Sequence, residues 1–361
     1  MTILFRTDAS IAMGSGHVMR CLTLADELRK RGAEVMFMCR EHTGHLISLI
    51  EGKGYQVVRL QQPESEYVTA PEDVSHAAWL GVSWQQDAAD TINALADAHP
   101  QWLIIDHYAI DYRWEQKLRS HVGKIMVVDD LADRPHDCDL LLDQNLYQSM
   151  ETRYDNQVPN TCQKLLGPKF ALLRPEFGAA RKTLRQRSGE IKRVLVFFGG
   201  VDSTNETEKA LQALASVTDH QFDVDVVVGG GNLNKERISN ICSLYERFHY
   251  YCQVDNMAEL MTSADFAIGA GGSTTWERCS LGLPSLVITL AENQVHIAQS
   301  AAKAGVLKYI GYFNTVSVEK LCQTISTAFA TEGILNNMSE NAQTLVDGEG
   351  VMRVADIMEQ L

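Results

Sequence analysis

The sequence predicts an α/β protein of two Rossmann-like domains, each a parallel sheet covered by helices. Three observations carry that prediction. Short apolar runs alternate with helix-period segments up to about residue 145, loosen over 150–192, and then resume. Repeated βα units of this kind imply parallel strands covered on both faces. The 361 residues, 45% of them hydrophobic, suffice for two such cores. The expected division is an N-terminal domain over 1–170, a connection over 171–192, a C-terminal domain over 193–345 and a last helix over 346–361. Ligands of open parallel sheets bind beyond the carboxyl ends of the strands. A cleft between the two domains is therefore the expected site.

Each element follows from its residues. Ile3–Phe5 reads as a strand, and 18–30 as a helix with Val18, Cys21, Leu22, Ala25 and Leu28 on one side and Gly32 closing it. Strands follow at 35–39, 57–60, 102–106, 125–129 and 139–143, with helices at 44–53, 84–98 and 111–120 between them. Pro159, Pro168, Pro175 and the basic stretch Arg181–Arg187 mark the connection. The second half reads as strands at 194–198, 224–228, 250–253, 266–269, 285–288 and 308–310. Its helices fall at 204–216, 234–243, 256–263, 274–281, 293–304, 317–330, 338–345 and 351–361.

Composition narrows the function. A net charge of −14 argues against a general nucleic-acid partner, though not against a small anionic ligand. The eight cysteines form no C-x-x-C pair and read as reduced, buried thiols of a cytoplasmic protein rather than a disulfide framework or a zinc site. There is no run of 18 apolar residues and no basic leader at the start, so the expectation is a protein without a membrane partner. A monomer is expected.

"GSGHVMRC" supplies the first chemistry. Gly14 and Gly16 fit the beginning of a dinucleotide fingerprint, but Met19 stands where the third glycine belongs, so a nicotinamide cofactor is not expected. Instead His17 opens a helix. The partial positive charge there disfavours imidazolium, so the ring is expected neutral and able to accept a proton. The glycine N–H groups beside it can take an anionic oxygen. Arg6 and Asp8 end the preceding strand, and Asp8 could orient a ring or a sugar hydroxyl. Asp106 and Tyr108 in "IIDHYAIDYRWE", and Asp130 in "MVVDDLADRPHDCDLLLDQN", close later strands and are expected to contact substrate. A metal site from His107, Asp129, Asp130 and His136 matches no known spacing, and none is expected.

The second half carries two further turns. In "FFGGVDSTNETEKAL", Gly199 and Gly200 are placed near a phosphate, with Asp202, Ser203, Thr204 and Asn205 capping the helix or donating from the loop. In "GAGGSTTWERCSLGLPSLVITLAENQVH", Gly269, Gly271 and Gly272 form a turn, and Ser273, Thr274 and Thr275 start a helix with donors for an anion. Glu277 lies where a carboxylate can take both hydroxyls of a ribose. Asn293 and Gln294 open the next helix, facing back to the cleft.

The run from Gly-Gly-Ser-Thr-Thr-Trp-Glu through Gly-Leu-Pro to Asn-Gln is similar to the nucleotide site of UDP-sugar enzymes of GT-B architecture. The Gly-His loop resembles that of the peptidoglycan UDP-N-acetylglucosamine transferase. Together, "RTDASIAMGSGHVMRCLTLA", "DHYAID", "DDLADRPHDCDLLLDQN" and "FGGVDSTN" resemble a narrower family, the UDP-sugar hydrolases of pseudaminic acid biosynthesis, from residue 4 to about 310. The resemblance implies a GT-B fold and hydrolysis of the anomeric C–O bond of a UDP-2,4-diacetamido-trideoxy sugar with inversion. It also implies no metal or cofactor, a product used in flagellin and surface glycans, and His17 as the catalytic histidine. Tyr108 and Asn293 are expected to position sugar or water. The alternative is a GT-B glycosyltransferase, which would use the same UDP site but require an acceptor.

Overall fold

The computed structural model describes residues 1–62, 65, 67–187, 189–217, 221–331 and 333–361. It divides into two compact units. Unit 1 comprises Met1–Asn145, Ser149–Leu172 and Gly350–Leu361, and unit 2 comprises Leu146–Gln148 and Leu173–Glu349.

Unit 1 begins with β1 (Thr2–Thr7), α1 (Gly16–Lys30), β2 (Glu34–Arg40), α2 (Ile47–Gly52) and β3 (Gln56–Leu60). It continues through α3 (Trp84–Leu95), β4 (Trp102–Asp106), α4 (Tyr112–Leu118), β5 (Lys124–Val128), β6 (Leu140–Asp143) and β7 (Gln163–Leu166). All seven strands are parallel, in the order β3-β2-β1-β4-β5-β6-β7. The chain winds outward from β1 to β3 and then returns to β1's other edge with β4. That reversal is a topological switch point, and it opens a crevice beyond the carboxyl ends of β1 and β4. Thr7 and Asp106 are register partners there. β7 lies within the expected N-terminal domain, in the part of it (150–170) where the apolar pattern loosens. Its sequence, Gln-Lys-Leu-Leu, carries little apolar signal, and backbone pairing with β6 supplies what the side chains do not.

Unit 2 runs from α5 (Pro175–Arg181) through β8 (Arg193–Phe197), α6 (Glu206–Ala215), β9 (Asp223–Val228), α7 (Lys235–Cys242), β10 (Phe248–Cys252), α8 (Met257–Ser263) and β11 (Phe266–Ala270). It ends with α9 (Thr274–Ser280), β12 (Ser285–Thr289), α10 (Asn293–Lys303), β13 (Lys308–Tyr312), α11 (Val318–Ala330) and α12 (Ile334–Leu345). Its six parallel strands take the order β10-β9-β8-β11-β12-β13, with the switch point between β8 and β11. Residues 173–187 and 189–192, read from sequence as connection, belong to this unit, while Ser188 lies outside the described residues. Arg181 donates to Ser280 O and Gln343 O, and Arg187 to carbonyls of Met261, Ala264, Leu281 and Gly282.

The last helix, α13 (Gly350–Gln360), returns to unit 1, where Val351, Val354, Ala355 and Met358 join the core beneath α1. Arg31 ties it down through Asp356 (2.5 Å) and Glu359 (3.3 Å). Gly350 fits because a Cβ there would lie 2.4 Å from Ala171 O. Among the described residues, no helix is long and apolar enough to cross a membrane.

Candidate active site

The unit 1 crevice gathers two cationic or ionisable side chains around one carboxylate. β4 ends on Asp106, and α1 begins at Gly16, so His17 sits on the helix's first turn, directly opposite. Asp106 Oδ1 accepts from His17 Nδ1 at 2.5 Å and Arg20 Nη2 at 2.6 Å, and its Oδ2 accepts from Arg20 Nε at 2.5 Å. The i, i+3 spacing of His17 and Arg20 places both on one helix face. Burial pushes the Asp106 carboxyl up, but Arg20 and His17 outweigh it and hold the group well below the usual carboxylate range. An ionised Asp106 can only accept, so Nδ1 of His17 carries a proton, and in the neutral ring the lone pair lies on Nε2. Nε2 has no partner among the described residues. This is a carboxylate-oriented imidazole, the arrangement that prepares a histidine to take a proton.

Tyr108 stands next to it. Its ring meets the His17 ring edge-on at 4.6 Å, and its hydroxyl donates to Asp130 Oδ1 at 2.5 Å. Asp130 Oδ2 accepts from Asn145 Nδ2 at 2.9 Å and lies 3.7 Å from Arg20 Nη1. Trp79 stacks on Tyr108 at 5.6 Å, and His76 packs edge-on against both rings. No motif marks His76 and Trp79: they lie at the start of and within the short 3-10 turn Ala77–Leu80, and only the fold brings them to the His17 and Tyr108 rings.

Other expected contacts are placed differently. Arg6 and Asp8 are 0% and 1% exposed and face each other at 2.7 Å. Arg6 also pairs with Asp87 at 2.7 Å, which Arg40 shares at 2.8 Å, and Asp8 accepts from Arg40 N. They form a buried ion network beneath the crevice. Asp106, expected to touch substrate, is fully buried, and its carboxylate pairs with His17 and Arg20. The four groups weighed as metal ligands turn to separate partners: His107 to Asp8, His136 to Glu115, Asp129 to Arg134 and Asp130 to Tyr108. Gly14, at φ +75°, closes a turn by donating to Ser10 O, and Gly16 is exposed at the helix start.

At the unit 2 switch point, Gly199 (φ +93°) and Gly200 follow β8, and Gly271 and Gly272 follow β11. Asp202 caps α6, accepting from Glu206 N (3.0 Å) and Thr207 N (2.9 Å), so its carboxylate is committed. Asn205, at φ +58°, donates to Glu208 Oε2. A further glycine run, Gly229–Gly231, which no motif marks, backs this loop. A Cβ on Gly229 would lie 2.2 Å from Gly200 O, so the two turns pack backbone to backbone. Gln294 closes the second turn: its Oε1 accepts from Leu290 N, and its side chain lies within van der Waals reach of Gly271 and Gly272. Ser273 is exposed and Thr274 partly so, at the start of α9, and Asn293 is exposed at the start of α10. Burial raises the Glu277 carboxyl, and Arg174, 3.5 Å away, counters it.

Two parallel-sheet α/β units with glycine turns beyond their strands define a GT-B fold, and the comparisons agree. Residues 194–361 match the glycosyltransferase family 28 C-terminal domain. MurG from Acinetobacter baumannii superposes over 100% of this chain and 99% of its own with a TM-score of 0.68, at 14% identity, so that likeness speaks to the fold. One relative with a stated activity is the UDP-2,4-diacetamido-2,4,6-trideoxy-beta-L-altropyranose hydrolase of Campylobacter jejuni. The two are 29% identical over 306 residues, covering 84% of this chain and 97% of that one. An uncharacterised protein of Methanocaldococcus jannaschii is 28% identical over 301 residues, covering 82% of this chain, which spans 56% of that relative's length.

Proposed function

We propose that this protein hydrolyses UDP-2,4-diacetamido-2,4,6-trideoxy-β-L-altropyranose to UDP and the free diacetamido sugar by anomeric C–O cleavage with inversion, and so serves pseudaminic acid biosynthesis. The observation that carries the reading is the His17–Asp106–Arg20 arrangement with Nε2 of His17 unpartnered. His17 takes a proton at Nε2 from the attacking water, and the water oxygen bonds to the anomeric carbon. The C–O bond breaks with its electron pair passing to the UDP β-phosphate oxygen. Asp106 holds Nδ1–H and stabilises the imidazolium that forms. General-base help of this kind contributes ~10²–10⁴-fold. Tyr108 and Asn293 position sugar or water. The Gly199–Asn205 and Gly271–Thr274 turns of unit 2 hold the diphosphate through backbone N–H groups, and Glu277 takes the ribose. The reaction calls for neither metal nor cofactor, and the substrate class is met in the cytoplasm.

The family 28 match of residues 194–361 favours one other reading, sugar transfer to a hydroxyl acceptor. Incubation with the UDP-sugar in H₂¹⁸O, with EDTA and no acceptor, separates them. Hydrolysis puts ¹⁸O in the free sugar and none in UDP, and His17→Ala abolishes it. No turnover without an acceptor would reject the hydrolase reading, and label in the phosphate would mean P–O cleavage and a different role for His17.

A further inference from the structure

Two arginines of unit 2 are buried without a carboxylate partner among the described residues, and they differ in a telling way. Arg187 is satisfied: Nε donates to Ala264 O, Nη1 to Leu281 O and Gly282 O, and Nη2 to Met261 O. These carbonyls close α8 and α9, and helix carboxyl ends favour a cation. Arg278 is 2% exposed and lies beneath the β11–α9 turn. Its Nη2 donates to Ala270 O (2.8 Å) and Thr275 Oγ1 (3.2 Å), and its Nη1 reaches Thr274 Oγ1 at 3.4 Å. Its Nε, also buried, has no hydrogen-bond partner among the described residues. A Cβ on Gly269 would come within 3.0 Å of Nη1, so the strand's last glycine makes room for the guanidinium.

A buried charge without an opposite charge is costly. Glu277, the adjacent carboxylate, pairs with Arg174 at 3.5 Å, and its through-space attraction offsets the burial of Arg278 only in part. Burial accordingly pushes the Arg278 guanidinium down to about 10. Arg278 therefore reads as a charge whose partner arrives with a ligand. It touches the turn on both sides, through Ala270 before the glycines and Thr274 and Thr275 after them.

We propose that Arg278 is a positioning residue for the diphosphate: it fixes the shape of the Gly269–Thr275 turn and places beneath it a buried positive charge that no carboxylate hydrogen-bonds, so that the turn selects an anionic over a neutral nucleoside ligand. The inference rests on the nucleotide-binding reading of that turn.

The test is the ratio of UDP to uridine affinity, measured by calorimetry on the full chain. Arg278→Gln keeps donors but removes the charge, and should weaken UDP binding roughly tenfold or more while leaving uridine within about twofold. Arg278→Lys, which restores the charge, should recover most of the ratio. A parallel loss of uridine and UDP would make Arg278 merely structural, and an unchanged ratio would likewise overturn the proposal. Wild-type protein that fails to bind UDP would remove the nucleotide reading itself; wild type that binds UDP beside an indifferent Gln variant removes only this inference. If Arg278→Gln does not fold, wild-type salt dependence decides. A buried charge is weakly screened, so the ratio should change by less than about threefold between roughly 0.05 and 0.5 M salt. A steep fall would assign the selectivity to surface charges and overturn the proposal.

Discussion

Asp106→Asn separates the orientation of His17 from its presence. The carboxylate accepts from three nitrogens at 2.5–2.6 Å and is fully buried. Asparagine keeps one acceptor and turns the other atom into a donor facing an N–H group. Removing one partner of a buried ion pair costs ~3–5 kcal/mol. In a unit of this size each kcal/mol moves Tm by ~2–4 °C, so the melting of unit 1 should fall by roughly 6–20 °C. The pH dependence has a definite sign. Burial raises the Asp106 carboxyl, but Arg20 and His17 depress it further than burial lifts it. A depressed carboxylate contributes stability above its ordinary pKa of 3.8 and loses it as pH falls through the folded value, so the gap between wild type and variant should narrow below that point. Activity should fall ~10²–10⁴-fold, because an amide facing His17 no longer pins the proton on Nδ1. UDP affinity should not change, since the residues assigned to UDP lie in unit 2. Calorimetric melting and a ³¹P NMR assay of UDP release measure both. A variant that hydrolyses at the wild-type rate, or melts within about 2 °C of wild type, would refute the reasoning.

Gly229→Ala should weaken UDP binding by ~1–3 kcal/mol without unfolding the protein, because its Cβ would strike Gly200 O and Cα and displace the Gly199–Gly200 turn. Calorimetric titration with UDP reads it, and an unchanged affinity would detach Gly229 from the site. Asp143 behaves oppositely to Asp106: burial, with Asp130 and Asp129 nearby, pushes its carboxyl up to about 8. The folded state therefore holds a proton that the unfolded chain releases near 3.8, and stability should fall as pH rises between those values. Asp143→Asn mimics the protonated form and should flatten that slope in urea unfolding; a slope equal to wild type would reject the assignment.

The sequence by itself determined the two-unit α/β plan, nearly every strand of both sheets, and the turns that matter. Buried parallel strands read as short apolar runs, and glycine before a helix start marks a turn whatever surrounds it. His17 was legible for the same reason, as an ionisable residue on the first turn of an amphipathic helix. β7 was not, because a four-residue edge strand takes its stability from pairing with β6 rather than from its side chains. Tertiary structure alone decided which polar residues face the crevice. Arg6, Asp8 and Asp106 all end strands and look alike in sequence. Yet the register of β1 with β4 and the approach of α1 seal the first two against Asp87 and Arg40 and hand the third to His17 and Arg20. His76, Trp79, Gly229 and Arg278 reach their places by contacts distant in sequence or hidden from solvent, and such contacts leave no periodicity to read. Local pattern records burial and turning. The pairing of charges is set by three-dimensional proximity, and it exists only once the sheets have formed.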